Sequence, residues 1–388
     1  MDDRHMLAQL AFSVTWPPSS TFGVGASESI GQRAKSRGAT RALLVTDSGI
    51  ARAGLAEQIA GHLRRAGVEV LIFDQVKPNP TMAEVTEGVS LLNRDGFDLL
   101  VALGGGSSID AAKVMSMQRL SGRSIEEIEA RGADDVPGKP IDFIVIPSTS
   151  GTGSEATTGA LVKDVTGKKY LVRSVRCRPQ ESILDPRLTV TVPARMTAST
   201  GMDAFIHAIG SYTNAQVNPF GDLCAQEAIR LVNRHLMTAI EDGTSLEARA
   251  GMMMASHLAG IAISMKGNDA IHGLSTAVES VVDCTHGESL SALMPHVLRF
   301  NQEVAGPRYA RIGQLMGLSP ERQTAEGAVA AMIGLRDASG TCRHLAEIGV
   351  RPDMLDRLTT MAAKGRSTQI NCRRPSDEEI RGIYEAAL

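Results

Sequence analysis

Cysteine is the first scarcity in this chain of 388 residues. Five are present, Cys177, Cys224, Cys284, Cys342 and Cys372, odd in number, scattered, and with no CxxC pair. That pattern excludes a disulfide framework and a thiolate metal cluster, and it fits a reducing compartment. Aromatic residues make up only 3% of the chain, so its core must be assembled from Ala, Leu, Ile, Val and 17 Met. No apolar run approaches the roughly 18–20 residues that a membrane span needs. The opening "MDDRHMLAQLAFSVTW" begins acidic and has no long apolar stretch, so it does not read as a secretory signal. An excess of either charge is also missing. The formal net charge of −3 gives no electrostatic reason to expect nucleic acid or an anionic membrane as partner. The expectation is a cytoplasmic protein that binds neither.

What remains is globular: 43% hydrophobic and 21% charged residues. A chain of this length exceeds the size at which one core keeps growing, so two domains are expected. The first half alternates short β-rich runs with helical patterns. "RALLVTD" (41–47) precedes "GLAEQIAGHLRRAG" (54–67); "EVLIFDQV" (69–76) precedes an amphipathic stretch at 81–95; "DLLVALGGGS" (98–107) runs into "SIDAAKVMSMQRL"; and "DFIVIPSTSGTGSE" (142–155) adds another buried strand. This rhythm predicts a doubly wound parallel sheet. Beyond about residue 186 helical patterns take over, at 196–213, 219–241, 245–265, 270–282, 289–302, 325–346 and 376–387. The fold class is therefore α/β plus all-α, with a dinucleotide-binding domain over 1–185 and a helical, metal-binding catalytic domain over 186–388. The boundary falls at "ILDPRLTVTVP".

In "LLVALGGGSSIDAAK" a buried strand enters Gly104, Gly105 and Gly106 and leaves through Ser107 and Ser108 into a helix. Residues without Cβ let backbone N–H groups approach a phosphate, and the helix N-terminus adds partial positive charge. Outside the carboxyl end of a strand is where nucleotides bind in open α/β sheets. The same residues would also make an ordinary helix start capped by serine. The loop matches neither GxGxxG nor the P-loop pattern. A second small-residue turn, "PSTSGTGSE", follows the next strand and favours a phosphate site. Asp47 closes the first of these strands; a carboxylate there could bind a ribose and would repel a 2′-phosphate, favouring NAD over NADP. Asp74 in "LIFDQV" competes for that role, and either could be a turn or cap residue.

The densest chemistry lies in the second half. "ASTGMDAFIHAIGSY" carries Asp203 and His207 four residues apart, on one face of an otherwise apolar helix. His272 and His286 follow in "NDAIHGLSTAVESVVDCTHGES". One hard oxygen and three borderline nitrogens suit Zn(II) or Fe(II) and leave room for a substrate oxygen. Singly, each has an ordinary reading as a hydrogen-bonded core residue. An unpaired Asp in an apolar helix, however, costs several kcal/mol unless a cation or donors compensate it.

"GGGSSIDAAK", "STSGTGSE", "ILDPRLTVTVPARMTASTGMDAFIHAI", "IHGL" and "THGES…MPHVLRFN" in this order resemble the iron-containing (group III) alcohol dehydrogenases. The resemblance runs from about residue 22 to the "INCRRPSDEEIRGIY" tail. It implies a Rossmann-like parallel-sheet domain, a helical C-terminal domain (the dehydroquinate synthase-like fold), and catalysis in the cleft between them. It also implies that Asp203, His207, His272 and His286 are the metal ligands, and that Gly104, Gly105, Gly106 and Ser107 form the pyrophosphate loop. Asp47 rather than Asp74 then takes the ribose, and Thr149 and Thr152 make further cofactor contacts. Asp110 and Lys113 match helix residues of structural role. The implied activity is NAD(H)-dependent interconversion of a small alcohol and its aldehyde or ketone at an oxygen polarised by a divalent ion, in a homodimer. The alternatives are a relative acting on an anionic substrate (a maleylacetate reductase, a hydroxyacid–oxoacid transhydrogenase or a phosphonate-aldehyde reductase) and a non-catalytic binding relative.

Two departures stand out. Many members carry a second His four residues after the third ligand; here Thr276 stands there and cannot titrate near neutrality. Members also commonly have Glu at the place of Gly210 and Gly at the place of Glu279. Glu279 follows His272 at i+7, so it is expected either to orient a ligand or contact substrate, or to be a solvated helix residue.

Overall fold

The computed structural model describes residues 11–14, 17–132, 134–165 and 167–388. Most of the N-terminal stretch read for a signal sequence lies outside them, as does the side chain of Cys177. The first half contains β1 (Ser19–Phe22), α1 (Ile30–Ser36), β2 (Arg41–Asp47), α2 (Ser48–Arg52), α3 (Leu55–Arg65), β3 (Glu69–Val76), α4 (Met82–Arg94), β4 (Leu99–Gly104), α5 (Gly106–Ser121), α6 (Ile125–Arg131), β5 (Asp142–Pro147), β6 (Gly159–Lys163), β7 (Lys169–Arg173) and β8 (Glu181–Leu184). Helices follow: α7 (Ala194–Thr213), α8 (Pro219–Glu241), α9 (Leu246–Lys266), α10 (Ala270–Glu279), α11 (His286–Leu315), α12 (Ala325–Ser339), α13 (Leu355–Lys364), α14 (Arg366–Gln369) and α15 (Asp377–Ala387).

Among the described residues six strands form one parallel sheet in the order β1-β8-β5-β4-β2-β3. Successive residues of a strand point to opposite faces, and here both faces are covered. Leu43, Val45, Leu100 and Ala102 join Val85, Ile109 and Met115 from α4 and α5. Leu44, Leu99, Val101 and Leu103 join Ile30, Ile59 and Leu63 from α1 and α3. That is why the strands read as unbroken apolar runs rather than as alternations. The chain leaves β2 for β3 on one side and returns to β4 on the other. The carboxyl ends of β2 and β4 therefore flank the point where strand order reverses, the place for a nucleotide in such sheets.

Four strands are absent from the sequence reading: β1 and β8 within the parallel sheet, and β6 and β7, which form a separate two-stranded sheet. β6 and β7 pair antiparallel, with Ala160, Val162, Tyr170 and Val172 turned into the core. Lys113, fully buried, fastens this hairpin to α5: its Nζ donates to Ser154 Oγ (3.0 Å), Thr157 Oγ1 (2.9 Å) and the Gly159 carbonyl (2.8 Å). Asp110 accepts from Leu161 N at 2.8 Å.

In the second half α7 packs against α8, α9 and α11, and every residue from Gly201 to Thr213 is buried. A helix buried all round belongs at the centre of its core. Helix ends differ from the periodicity in three places. α10 stops at Glu279 rather than 282. α11 runs through Pro295 and Pro307 to Leu315, because its buried face holds it across both prolines. α12 ends at Ser339, where Gly340 takes the left-handed conformation. The short α13 and α14 had no counterpart in the reading.

The chain divides into two compact units. One takes the described residues from 17 to Thr149 and Gly153–Thr191; the other takes residues 11–14, Ser150–Thr152 and Val192–Leu388. Cys342 is buried, and Cys224, Cys284 and Cys372 are half-buried. Among the described residues no helix is long and apolar enough to cross a membrane.

Candidate metal centre and cofactor loop

The four residues proposed as ligands meet within the helical unit. Asp203 and His207 lie one turn apart on α7, His272 lies on α10, and His286 is the first residue of α11. Each offers one atom, and the four atoms lie within 4.8 Å of one another. Asp203 Oδ1 is 3.4 Å from His207 Nδ1, 3.5 Å from His272 Nε2 and 3.6 Å from His286 Nε2. The His207 and His272 rings stack, with centroids 4.3 Å apart and planes at 14°.

Burial makes this arrangement expensive as it stands. Asp203 is 2% exposed, and its Oδ1, His207 Nδ1 and His272 Nε2 have no hydrogen-bond partner. A buried polar atom left unpaired costs about 1–3 kcal/mol, and a charged one more. Burial pushes the Asp203 carboxyl up, but the imidazoles, His207 foremost, outweigh it and hold it at about 2. Burial drives His207 down to about 3 against the attraction of Asp203. At neutral pH the pair is thus one anion and one neutral imidazole, each presenting a lone pair. A tetrahedral ion with bonds of about 2.1 Å has ligand–ligand edges of about 3.4 Å. The donor set and its spacing fit a divalent metal.

His207 and His286 are hydrogen-bonded on their far sides, and His272 faces a carboxylate there without a bond. His207 hydrogen-bonds the backbone of Gly151. His272 Nδ1 faces Asp269 Oδ1 at 3.8 Å, while that carboxylate accepts from Ile271 N (3.0 Å) at the start of α10. His286 Nδ1 lies 2.5 Å from Glu279 Oε1. Glu279 is therefore buried and bonded to a proposed ligand, not solvated. Gly210 is explained by Asp269: a Cβ at 210 would stand 2.8 Å from the Asp269 carboxyl carbon. Gly151, Asp269, Ser275 and Ser289 were not singled out by sequence. Of these, only Asp269, at i−3 from His272, carried a local signal. Thr276 Oγ1 donates to the His272 carbonyl at 2.8 Å and is engaged in its own helix.

The cofactor candidates lie mainly in the sheet unit. Gly104 ends β4 at φ +148°, and a Cβ there would meet Ser108 Oγ at 2.6 Å, so this position needs glycine. Gly105 precedes α5, whose start at Gly106 and Ser107 has no side-chain cap, leaving its N–H groups directed outward. Asp47 Oδ1 accepts from Gly49 N (2.8 Å) and Ile50 N (3.0 Å), capping α2. Its Oδ2 lies 3.4 Å from the Cβ position of residue 104, so Asp47 and the glycine loop adjoin. Thr149 sits against Gly105. Thr152 belongs instead to the short segment that groups with the helical unit. Asp74 is exposed on the edge strand β3, two residues before its carboxyl end.

Two family models match the chain: "Iron-containing alcohol dehydrogenase" over residues 17–186 and "Fe-containing alcohol dehydrogenase family, C-terminal" over 197–388. The NAD-dependent methanol dehydrogenase of Bacillus methanolicus is 35% identical over 377 residues, covering 96% of this chain and 98% of that one. The choline dehydrogenase of Bacillus subtilis (strain 168) is 34% identical over 368 residues, covering 94% and 92%. Among solved structures, a 1,3-propanediol oxidoreductase superposes with a TM-score of 0.93 at 33% identity, covering 98% of this chain and 100% of that one.

Proposed function

We propose a mechanism that proceeds from one premise: the chain belongs to the iron-containing alcohol dehydrogenase family. Its reaction is the NAD(H)-dependent interconversion of an alcohol and its aldehyde or ketone, with a divalent ion, Fe(II) or Zn(II). When bound, the ion supplies Lewis acidity at the substrate oxygen, and the nicotinamide exchanges the hydride.

The chain's own residues do the rest. Asp203, His207, His272 and His286 hold the ion; the convergence of their four lone pairs is the observation that carries this reading. Three imidazoles and one carboxylate leave a divalent ion one formal positive charge. His286, whose side chain is 34% exposed, marks the side from which substrate enters. Gly104, Gly105, Gly106 and Ser107 receive the pyrophosphate on the open start of α5, with Thr149 as a further contact. Asp47 takes the ribose and disfavours a 2′-phosphate. Because Thr276 is bonded to its own helix, proton exchange runs through water or the cofactor ribose.

A small neutral alcohol or aldehyde is the substrate class. The buried carboxylate of Glu279 behind His286 makes an anionic substrate unfavourable there. Arg176 donates to the carbonyls of Val136 and Gly138. Five scattered cysteines with no CxxC pair support a reducing, cytoplasmic location, and the family resemblance supports a homodimer.

The test is NADH oxidation by the pure protein on adding aldehydes of one to four carbons, with no second organic acceptor. The expected result is turnover with NADH at least about tenfold better in kcat/KM than with NADPH. Chelation should abolish it, and Zn(II) or Fe(II) should restore it. Turnover that survives complete removal of metal contradicts the reading.

A further inference from the structure

We propose that Glu279 is a positioning residue of the metal centre, acting through His286 to fix both its tautomer and its direction. This rests on the metal reading given under Proposed function and adds a residue to it.

The geometry is specific. Glu279 ends α10 and His286 begins α11, and Glu279 Oε1 meets His286 Nδ1 at 2.5 Å. With Nδ1 holding the proton for that bond, Nε2 keeps its lone pair, and Nε2 is the atom facing Asp203 Oδ1. The partners differ sharply in burial: the Glu279 side chain is 4% exposed, whereas that of His286 is 34% exposed. A half-open imidazole at the first position of a helix has rotamer freedom that its buried neighbours lack. The carboxylate removes that freedom.

Glu279 is itself held. Ser275 Oγ, one turn earlier on α10, donates to the same Oε1 at 2.7 Å. Ser289 Oγ lies 3.2 Å from Oε1 and 2.7 Å from Ser275 Oγ, so α11 contributes to the same clasp. α10 therefore carries one proposed ligand, His272, and two turns later the anchor of another. Partners of this kind raise ligand basicity as well as fixing orientation, and losing one typically costs about 10–100-fold in metal affinity. Glu279 thus acts toward the metal through His286.

The experiment is a competition titration of Zn2+ against a chromophoric chelator, using the full-length protein stripped of metal. Wild type, Glu279→Gln, His286→Ala and the double variant are compared. Glu279→Gln keeps the shape and is expected to weaken Zn2+ binding about 10–100-fold. In the His286→Ala background the same change is expected to shift affinity less than about threefold, because the residue it acts through is gone. Circular dichroism melts of the stripped proteins establish that each is folded. Should Glu279→Gln fail to fold, Glu279→Asp, which draws the charge back by one methylene, is expected to weaken binding in its place. Wild-type affinity in the folded variant, or an equal loss with and without His286, overturns the proposal. Wild-type protein that binds no Zn2+ removes the metal reading itself, a different result from wild type binding and Glu279→Gln matching it.

Discussion

Asp203→Ala is expected to yield a folded protein that loses its metal on dialysis and retains less than about one-thousandth of wild-type kcat/KM. Asp203 is the sole carboxylate among the four proposed ligands, and its Oδ1 lies 3.4–3.6 Å from one ring nitrogen of each histidine. Without it three imidazoles remain, two of them stacked, and the negative charge that favours a dication is gone. A Lewis acid at the reacting oxygen is worth several kcal/mol, and each 1.36 kcal/mol is about tenfold in rate. Stability should fall as well in the metal-free protein. The fold holds the Asp203 carboxyl below its ordinary range, so the ionised form is stabilised there, and the stripped variant should melt below stripped wild type. Metal analysis, NADH-coupled kinetics and paired melts check all three; a variant that retains metal and activity refutes the ligand assignment.

Gly287→Ala should be nearly as damaging although it removes no functional group. A Cβ at 287 would stand 2.2 Å from the Ser199 carbonyl oxygen and 2.5 Å from Ser199 Oγ. Ser199 lies on α7 one turn before Asp203, so the first turn of α11 rests directly beneath the ligand carboxylate. A backbone oxygen cannot rotate away as a side chain can, and the two helices must separate. Overpacking of this kind costs about 1–3 kcal/mol. The larger effect is on the site, because His286 moves with α11 while Asp203 and His207 stay on α7. A displacement near 1 Å is enough to cost about 100-fold in turnover. The expected result is a lowered melting temperature together with at least that loss in kcat/KM. Wild-type activity in Gly287→Ala would show that the close approach of α7 and α11 does not set the ligand geometry.

Much of the site was written locally in the chain. Asp203 and His207 were legible as a pair because a spacing of four places them on one helical face, and an Asp amid Phe205, Ile206 and Ile209 demands compensation. The apolar runs of β2, β4 and β5 were legible as parallel strands because both faces are buried. The order β1-β8-β5-β4-β2-β3 was not, since crossover paths are settled by packing between distant segments. The β6–β7 hairpin did signal itself, in the alternation at Ala160, Val162, Tyr170 and Val172, but those short segments were not recognised as strands. The exchange of small and acidic residues at Gly210 and Glu279 was visible, yet its meaning was not. Gly210 accommodates Asp269, 59 positions along the chain, and Glu279 reaches His286 across a turn between helices. Contacts of that kind depend on how α7, α10 and α11 pack, which no local period encodes.

The most direct measurement is X-ray absorption at the metal edge of the pure, metal-loaded protein. Three imidazole nitrogens and one carboxylate oxygen at about 2.0–2.2 Å are predicted, with the imidazole outer-shell pattern reduced by one ring in His272→Ala. A sulfur shell near 2.3 Å, or a spectrum unchanged by His272→Ala, would contradict the ion's placement among Asp203, His207, His272 and His286.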